Sequence, residues 1–309
     1  MSDIKDSPHI PVLLNEVLDS FKELKDGVFV DATLGYGGHS SAILKEHKDI
    51  HLIGIDRDSE AIEFSKKRLK EFKDRIEFKK GPFSEVLKEI DFSNLKGLLA
   101  DFGVSSLQLD KLERGFSFNS DKLDMRMDQS SAISAKDIVN SYSLDELTKI
   151  LREYGEIREA KKIAKKIVEY RVKKEISSSK ELANLVLEVV KKKGKIHPAT
   201  QLFQALRIEV NRELDEINAL LDILEERRPK GATIALITFH SLEDRLVKQR
   251  FRKWAKRCIC PAEVMRCECG GDNNLGVEVT KKPIVASKEE IEKNPRSRSA
   301  KLRVFKFKE

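Results

Sequence analysis

The sequence holds no apolar run approaching the ~18 residues that cross a bilayer. Its start, MSDIKDSPHI, lacks a basic stretch leading into an apolar one. Membrane insertion and export are therefore not expected, and the chain reads as soluble and cytoplasmic. Cysteine is scarce too: four in 309 residues do not make the disulfide framework of a small secreted domain. No internal repeat and no low-complexity linker is found. Net charge is also small. Lys and Arg number 59 against 52 Asp and Glu, leaving +7. That balance permits a nucleic-acid partner without requiring one, so the distribution of charge matters more than its sum.

The 40% of hydrophobic residues suffices for a real core, and the length suggests two domains of ordinary size. Over the first hundred residues strand and helix patterns alternate. VFVDAT (28–33), HLIGID (51–56), RIEFKKG (75–81) and GLLADFG (97–103) are short apolar runs, each ending in acidic, small or turn residues. Between them HSSAILKEH and DSEAIEFSKKRLKEFKD carry apolar residues at helical spacing, with Asp58 placed to cap the second. Such alternation predicts parallel strands with crossover helices, a doubly wound α/β sheet. From Asp110 the alternation stops. Ser143 to Glu146 and Ser178 to Glu181 read as capping boxes. HPATQLFQALRIEVNRELDEINALLDIL reads as a long helix with Pro198 in its first turn. Strand patterns return with GATIALITFHS (231–241) and KLRVFKF (301–307). The expected layout is one α/β domain in two parts, 1–109 and 215–309, around an all-helical insert, 110–214. The stretch from Gly270 to Arg298 reads as loop.

Two stretches carry candidate chemistry. In VDATLGYGGHSS, Gly35, Gly37 and Gly38 allow a tight turn and close approach to a ligand, and the helix that follows aims N–H groups at it. Asp56 ends the second strand about 20 residues on, where a carboxylate can accept ribose hydroxyls. A dinucleotide fingerprint requires a third glycine, and Ser40 stands there. S-adenosylmethionine needs no phosphate cradle, and Asp31 is placed for its cationic groups. The loop favours that methyl donor, while a purely structural turn stays open. In LLADFGVSSLQLD, Asp101 falls at the carboxyl end of a central strand. There it either receives a ligand or caps a loop. Acceptors around an exocyclic amine would stabilise the charge developing on it during methyl transfer, with no obligatory general base.

HIPVLLNEV, TLGYGGHS, IDRD, GPFS, DFGVSSLQLD, ERGFSF, LDMRMD, HPATQLFQALRIEVN, FHSLEDRLVK and NPRSRSAKLR follow in this order. Together they resemble the ribosomal RNA small-subunit methyltransferase H, or MraW, family, from His9 to Arg303. The resemblance implies a class I S-adenosylmethionine-dependent methyltransferase fold whose helical insert recognises substrate. It implies methyl transfer to the N4 amine of a cytidine in the decoding region of 16S rRNA, within the 30S subunit or its precursor. Carried over by motif, the cofactor residues are Gly37, Gly38, His39, Asp56, Phe83, Asp101 and Gln108. An aromatic at Phe83 can stack on adenine. Leu107 departs from the proline the family usually shows there, which leaves the placement of Gln108 less constrained.

Basic residues cluster at 156–175 (Lys161, Lys162, Lys165, Lys166) and 243–257 (Arg245, Lys248, Arg250, Arg252, Lys253, Lys256, Arg257, with Trp254 among them). The second cluster is the stronger RNA candidate, because acids are few beyond its first turn. Arg296 and Arg298 add to it. The target base is expected to leave its stack. His197 and His240 read as caps or packing residues. Cys258, Cys260, Cys267 and Cys269 form C-x-C-x6-C-x-C, tighter than the usual zinc knuckle. Structural zinc and reduced thiols both stay open, and no metal ligand is assigned. The competing functions are a non-catalytic 30S assembly factor, opposed by the intact glycine turn and Asp56, and a methyltransferase for protein or DNA. DFGVSS lacks the proline pair of the DNA amino enzymes. A nicotinamide oxidoreductase is disfavoured by Ser40.

Overall fold

The computed structural model describes residues 10–104, 109–190, 197–261, 263–264 and 266–309. The chain divides into two compact units, one formed by 1–103 with 215–309 and one by 104–214.

The first unit is a sheet with helices on both faces. In chain order it contains α1 (Leu14–Ser20), β1 (Asp26–Asp31), α2 (Gly38–Glu46), β2 (Asp49–Asp56), α3 (Ser59–Arg68), β3 (Ile76–Lys80), α4 (Phe83–Val86) and β4 (Leu95–Asp101). The sheet runs β3-β2-β1-β4, parallel throughout. The four strands read from the sequence are all present, each within two residues of expectation at its start. Asp58 caps α3, its side chain accepting the Glu60 N–H at 3.0 Å.

The second unit holds helices only among its described residues: α5 (Ala135–Ser141), α6 (Leu144–Glu153), α7 (Ala160–Arg171), α8 (Ser179–Val189) and α9 (Thr200–Asn211), with one 3-10 turn at 112–114. Ser143 and Glu146 form the full reciprocal box. Ser178 caps Glu181, but the Glu181 carboxylate turns to the Ser177 N–H instead, so only half of that box exists. The long helix of the sequence reading is two helices. Arg212 adopts the left-handed conformation, φ 51°, and ends α9. A two-toothed ion pair from Arg207 to Glu213, 2.8 Å at each tooth, spans the break. Pro198 lies two residues before α9 rather than inside its first turn, because His197 Nδ1 and Ala199 form the start of the helix.

The chain then continues through α10 (Glu213–Arg227), β5 (Thr233–Thr238), α11 (Ser241–Trp254), β6 (Gly276–Glu278), β7 (Ile284–Val285), α12 (Lys288–Lys293) and β8 (Lys301–Phe307). β5 joins β4 in parallel, β8 lies antiparallel to β5, and β6 and β7 pair antiparallel with β8. The stretch 270–298 is thus not all loop.

Strand residues alternate between two cores, as a pleated sheet covered on both faces requires. Val30, Ile53, Leu98, Ile234 and Phe305 face one side, with α10 and α11 above them. Phe29, Leu52, Leu99, Ala235 and Val304 face the other, with α1 and α2. Trp254 belongs to the first core. It packs on Phe251, Phe305 and Phe307 at ring centroids of 5.3–5.5 Å and is 1% exposed. It is therefore not a stacking platform for RNA bases among the arginines, because its spacing puts it on the inner face of α11. No helix among the described residues is long and apolar enough to cross a membrane.

Candidate functional site at the carboxyl ends of the strands

The strand order reverses direction between β1 and β4: β2 and β3 lie on one side of β1, β4 and β5 on the other. Open α/β sheets bind ligands outside the carboxyl ends of the strands at such a point. Three carboxylates end the three strands there. Asp31 closes β1, Asp56 closes β2 and Asp101 closes β4. In register Asp31 pairs with Gly54 of β2 and Leu99 of β4. Asp56 and Asp101 therefore each stand two residues beyond Asp31, roughly 6–7 Å higher, and flank β1 at roughly 9–10 Å from each other.

The glycine turn threads between these tips and is tied to both. Ala32 N–H donates to Leu99 O and Leu34 N–H to Ile55 O, each at 2.8 Å. Thr33 Oγ1 accepts the Asp101 backbone N–H at 2.6 Å. Asp56 Oδ2 accepts the Gly35 N–H at 2.8 Å, and its Oδ1 accepts that of Asp58 at 2.8 Å. Gly35 O takes the Ser65 hydroxyl at 2.7 Å. The two glycines that open α2 are required sterically. Gly37 sits at φ 67°, and a Cβ there would meet Leu69 Cδ1 at 2.9 Å. A Cβ on Gly38 would meet Pro11 Cγ at 2.5 Å.

Below the turn Asp31 is 2% exposed. It accepts the Ser40 hydroxyl at 2.6 Å and the Thr33 N–H at 3.2 Å. Burial pushes its carboxyl above the usual carboxylate range, while the Ser40 bond pulls the other way. The Ser40 that spoils the dinucleotide fingerprint is thus the partner of a buried acid. His39 is buried as well. Its Nε2 sits 2.9 Å from Val12 O; a carbonyl can only accept, so Nε2 carries the proton. Burial lowers its pKa, keeping the ring neutral. With the side chain so engaged, what His39 presents at the start of α2 is its main chain.

Asp56 and Asp101 are half-buried. Burial raises the first to about 6 and the second to about 7, against an ordinary 3.8. Asp101 Oδ1 also accepts the Gly103 N–H at 3.2 Å, so it caps its loop while lying at the strand end. Phe83, the first residue of α4, is buried and meets Phe102 at 6.1 Å between centroids. Its loop hangs on Asp56, whose carbonyl accepts the Gly81 N–H at 2.9 Å. Gln108 lies outside the described residues.

Sequence reasoning passed over Thr33, Ser65 and a group beyond Phe83. In that group Glu216 accepts the Ser84 hydroxyl at 2.8 Å and pairs with Arg57 at 3.4 Å. Arg57, Ser84 and Glu216 each lie in stretches read above, but the Ser84–Glu216 contact spans 132 residues, which no local pattern shows. The opening motif is bound to the NPRSRS segment: Asn294 Nδ2 donates to Ile10 O at 3.1 Å, and Glu290 accepts the Leu13 N–H at 2.8 Å.

Three acids at adjacent strand tips set the chemistry of a ligand. They repel a pyrophosphate and attract a cation. A glycine turn with a helix start and a carboxylate at the second tip is suited to an adenosine. A cationic adenosine derivative satisfies both. The chain matches the MraW methylase family over residues 6–308. It belongs to that family.

Relatives agree along the whole chain. Ribosomal RNA small subunit methyltransferase H of a Nitratiruptor species is 59% identical over 98% of this chain and 99% of its own length. The protein of that name from a Sulfurovum species is 55% identical over 98% and 99%. Among solved structures an rRNA methylase from Streptococcus thermophilus covers 97% of this chain and 99% of its own at 10% identity, with a TM-score of 0.40. Family membership rests on the sequence matches.

The basic clusters resolve into paired and exposed members. On α7, Lys165 lies 3.6 Å from Glu169 and Lys166 2.6 Å from Glu188. On α11, Arg250 reaches Asp222 and Glu225 at 2.6 and 2.9 Å, and Lys253 reaches Glu225 at 2.6 Å. Arg252 and Lys256 are exposed, one turn apart. His240 caps α11, and His197 stacks on Phe118; both expectations stand.

Proposed function

We propose that this chain transfers a methyl group from S-adenosylmethionine to the exocyclic N4 amine of a cytidine in the decoding region of 16S rRNA, within the 30S subunit or its precursor, in the cytoplasm. The observation that carries the reading is the set of three carboxylates at the strand tips of a chain related over its full length to rRNA methyltransferases. When bound, the donor supplies an electrophilic methyl on a sulfonium.

The chain's own residues bind, orient and stabilise. Gly37, Gly38 and the His39 main chain open the helix against the donor, and Asp56 holds its ribose from the β2 tip while keeping Gly35 in place. Phe83 closes the adenine side. Asp31 stays internal, tied to Ser40, and lends negative potential beneath the turn. Asp101 and Gln108 are carried over by motif to the donor; Asp101, with the carbonyls of 102–104, also faces the target amine and stabilises the positive charge that develops there. A cytosine amine is a weak nucleophile because its lone pair is delocalised, so these acceptors matter most as the new bond forms. The proton then leaves to solvent. The unit 104–214 and the exposed cations of 252–257 hold the RNA.

The test is transfer of labelled methyl to 30S subunits from a strain lacking the activity, beside naked 16S RNA, followed by nucleoside analysis. N4-methylcytidine from the wild type, lost in Asp56→Ala, is expected. Donor binding without any methylated nucleoside would overturn the RNA substrate. Absence of donor binding would leave an assembly factor.

A further inference from the structure

The connection from α11 to β6 holds every cysteine of the chain: Cys258, Cys260, Cys267 and Cys269. The fold brings their four sulfurs within 4.8 Å of one another. Cys267 and Cys269 are 3.5 Å apart at sulfur, Cys269 and Cys258 3.7 Å. These distances are far from the ~2.05 Å of a disulfide. They match four thiolates around one tetrahedral ion, where a metal–sulfur bond of about 2.3 Å places the sulfurs about 3.8 Å apart. A cluster of several irons would need a wider cage than 4.8 Å gives.

The main chain is arranged for the same purpose. Each C-x-C arm donates the amide of its middle residue to the second sulfur of the other arm. Ile259 N–H points at Cys269 Sγ, 3.4 Å, and Glu268 N–H at Cys260 Sγ, 3.3 Å. The reciprocity gives the cluster an approximate two-fold arrangement. Donors aimed at sulfur suit thiolate, the metal-binding form. Gly270 and Gly271, both at positive φ, then turn the chain away from the cluster. Asn273 secures the exit: its N–H donates to Arg257 O at 3.0 Å, and its side chain to Cys269 O at 3.0 Å.

We propose that Cys258, Cys260, Cys267 and Cys269 bind one structural zinc ion that pins the loop between α11 and β6. All four positions are protein sulfur, so the ion has no open site and performs no chemistry on substrate. A zinc tetrathiolate carries a net charge of about −2, and the exposed Lys256, Arg257 and Arg266 stand on or beside the two arms to balance it. The loop otherwise has little to order it, since Cys267 and Ile259 are exposed. This proposal is independent of the substrate assigned above.

The test uses the full chain, free of any tag and purified without chelator. Elemental analysis should give about one zinc per chain, released together with thiol reactivity when a mercurial is added. Replacement with cobalt should produce the d–d and charge-transfer bands of a tetrahedral cobalt thiolate. Removing zinc from the wild type should raise tryptic cleavage at Arg257 and Arg266 about tenfold, since the ion holds the closed loop. Cys258→Ser with Cys269→Ser should lose the metal while Trp254 fluorescence remains native; if that variant does not fold, the cobalt spectrum and the proteolysis of stripped wild type decide. Zinc below about 0.2 per chain with four freely reactive thiols would overturn the proposal. So would a disulfide, or iron in place of zinc.

Discussion

Ser40 Oγ donates to Asp31 Oδ2 at 2.6 Å, and neither residue reaches solvent to any extent. The bond joins the first turn of α2 to the end of β1 and sets the pitch of the glycine turn between them. Ser40→Ala leaves a buried carboxylate short of a donor, which costs about 1–3 kcal/mol. Ser40→Gly should cost at least as much, although it restores the third glycine of a dinucleotide fingerprint, because helix propensity is lost as well. Urea titrations followed by Trp254, the single tryptophan, would measure both. Unchanged midpoints would mean that Asp31 needs no partner.

The glycines should separate by mechanism. Gly38→Ala drives a methyl into Pro11 with little backbone strain, an overpacking cost of about 1–3 kcal/mol. Gly37→Ala meets Leu69 and also pays about 1–2 kcal/mol for the left-handed backbone. Trimming the neighbour distinguishes them. Leu69→Ala should partly rescue Gly37→Ala, whereas no rescue of Gly38→Ala by Leu69→Ala is expected. Equal rescue of both in double-mutant analysis would refute this account.

Much of this region was legible because its signals are local. Four apolar runs ending in acidic, small or turn residues became four parallel strands, and the acids at three of the tips form the candidate site. Asp58, Ser143 and His240 cap helices because a cap is decided by residues two or three positions away. The illegible parts depend on distance or on weak patterns. β6 and β7 have three and two residues, too few for alternation to show, and exist because β8 offers an edge. The break at Arg212 interrupts no apolar period, and only the Arg207–Glu213 pair betrays it. The core role of Trp254 was not legible because a run of cations hides the spacing Val247, Phe251, Trp254, which is a buried helical stripe.

Asp101 and Asp56 carry a pH signature. Their folded values of about 7 and 6 lie above the ordinary 3.8. Between pH 3.8 and those values the folded chain keeps protons that the unfolded chain has released. The stability they contribute is therefore complete below 3.8 and is lost as pH rises through 6 to 7. Asp101→Asn should stabilise the unliganded protein at pH 8 by about 1–2 kcal/mol, a figure reduced for partial exposure, and should change little below about pH 4. Donor affinity should follow the opposite course in the wild type, rising roughly tenfold from about pH 5.5 to 8 as the carboxylates ionise toward a cation. In Asp101→Asn that rise should flatten. Parallel pH profiles for the two proteins, in urea midpoint and in calorimetric affinity, would remove Asp101 from the donor site.

The cations divide by partner, and that division predicts which of them RNA uses. Lys165 and Lys166 are opposed by Glu169 and Glu188 on the protein itself, so a phosphate must compete for them. Arg252 and Lys256 are exposed one turn apart at the end of α11, with the length and mobility to follow a backbone. Arg252→Ala with Lys256→Ala should weaken binding to 30S subunits about tenfold near about 50 mM salt and lower the slope of log affinity against log salt by about 1–2, the contribution of two phosphate contacts. Lys165→Ala with Lys166→Ala should stay within about twofold, since both lysines already face carboxylates of the protein. Trp254→Phe should lower stability yet leave the salt slope unchanged, because the ring is in the sheet core. A steeper loss from the α7 pair than from the α11 pair would assign the phosphate contacts to α7 and leave the end of α11 as solvated surface.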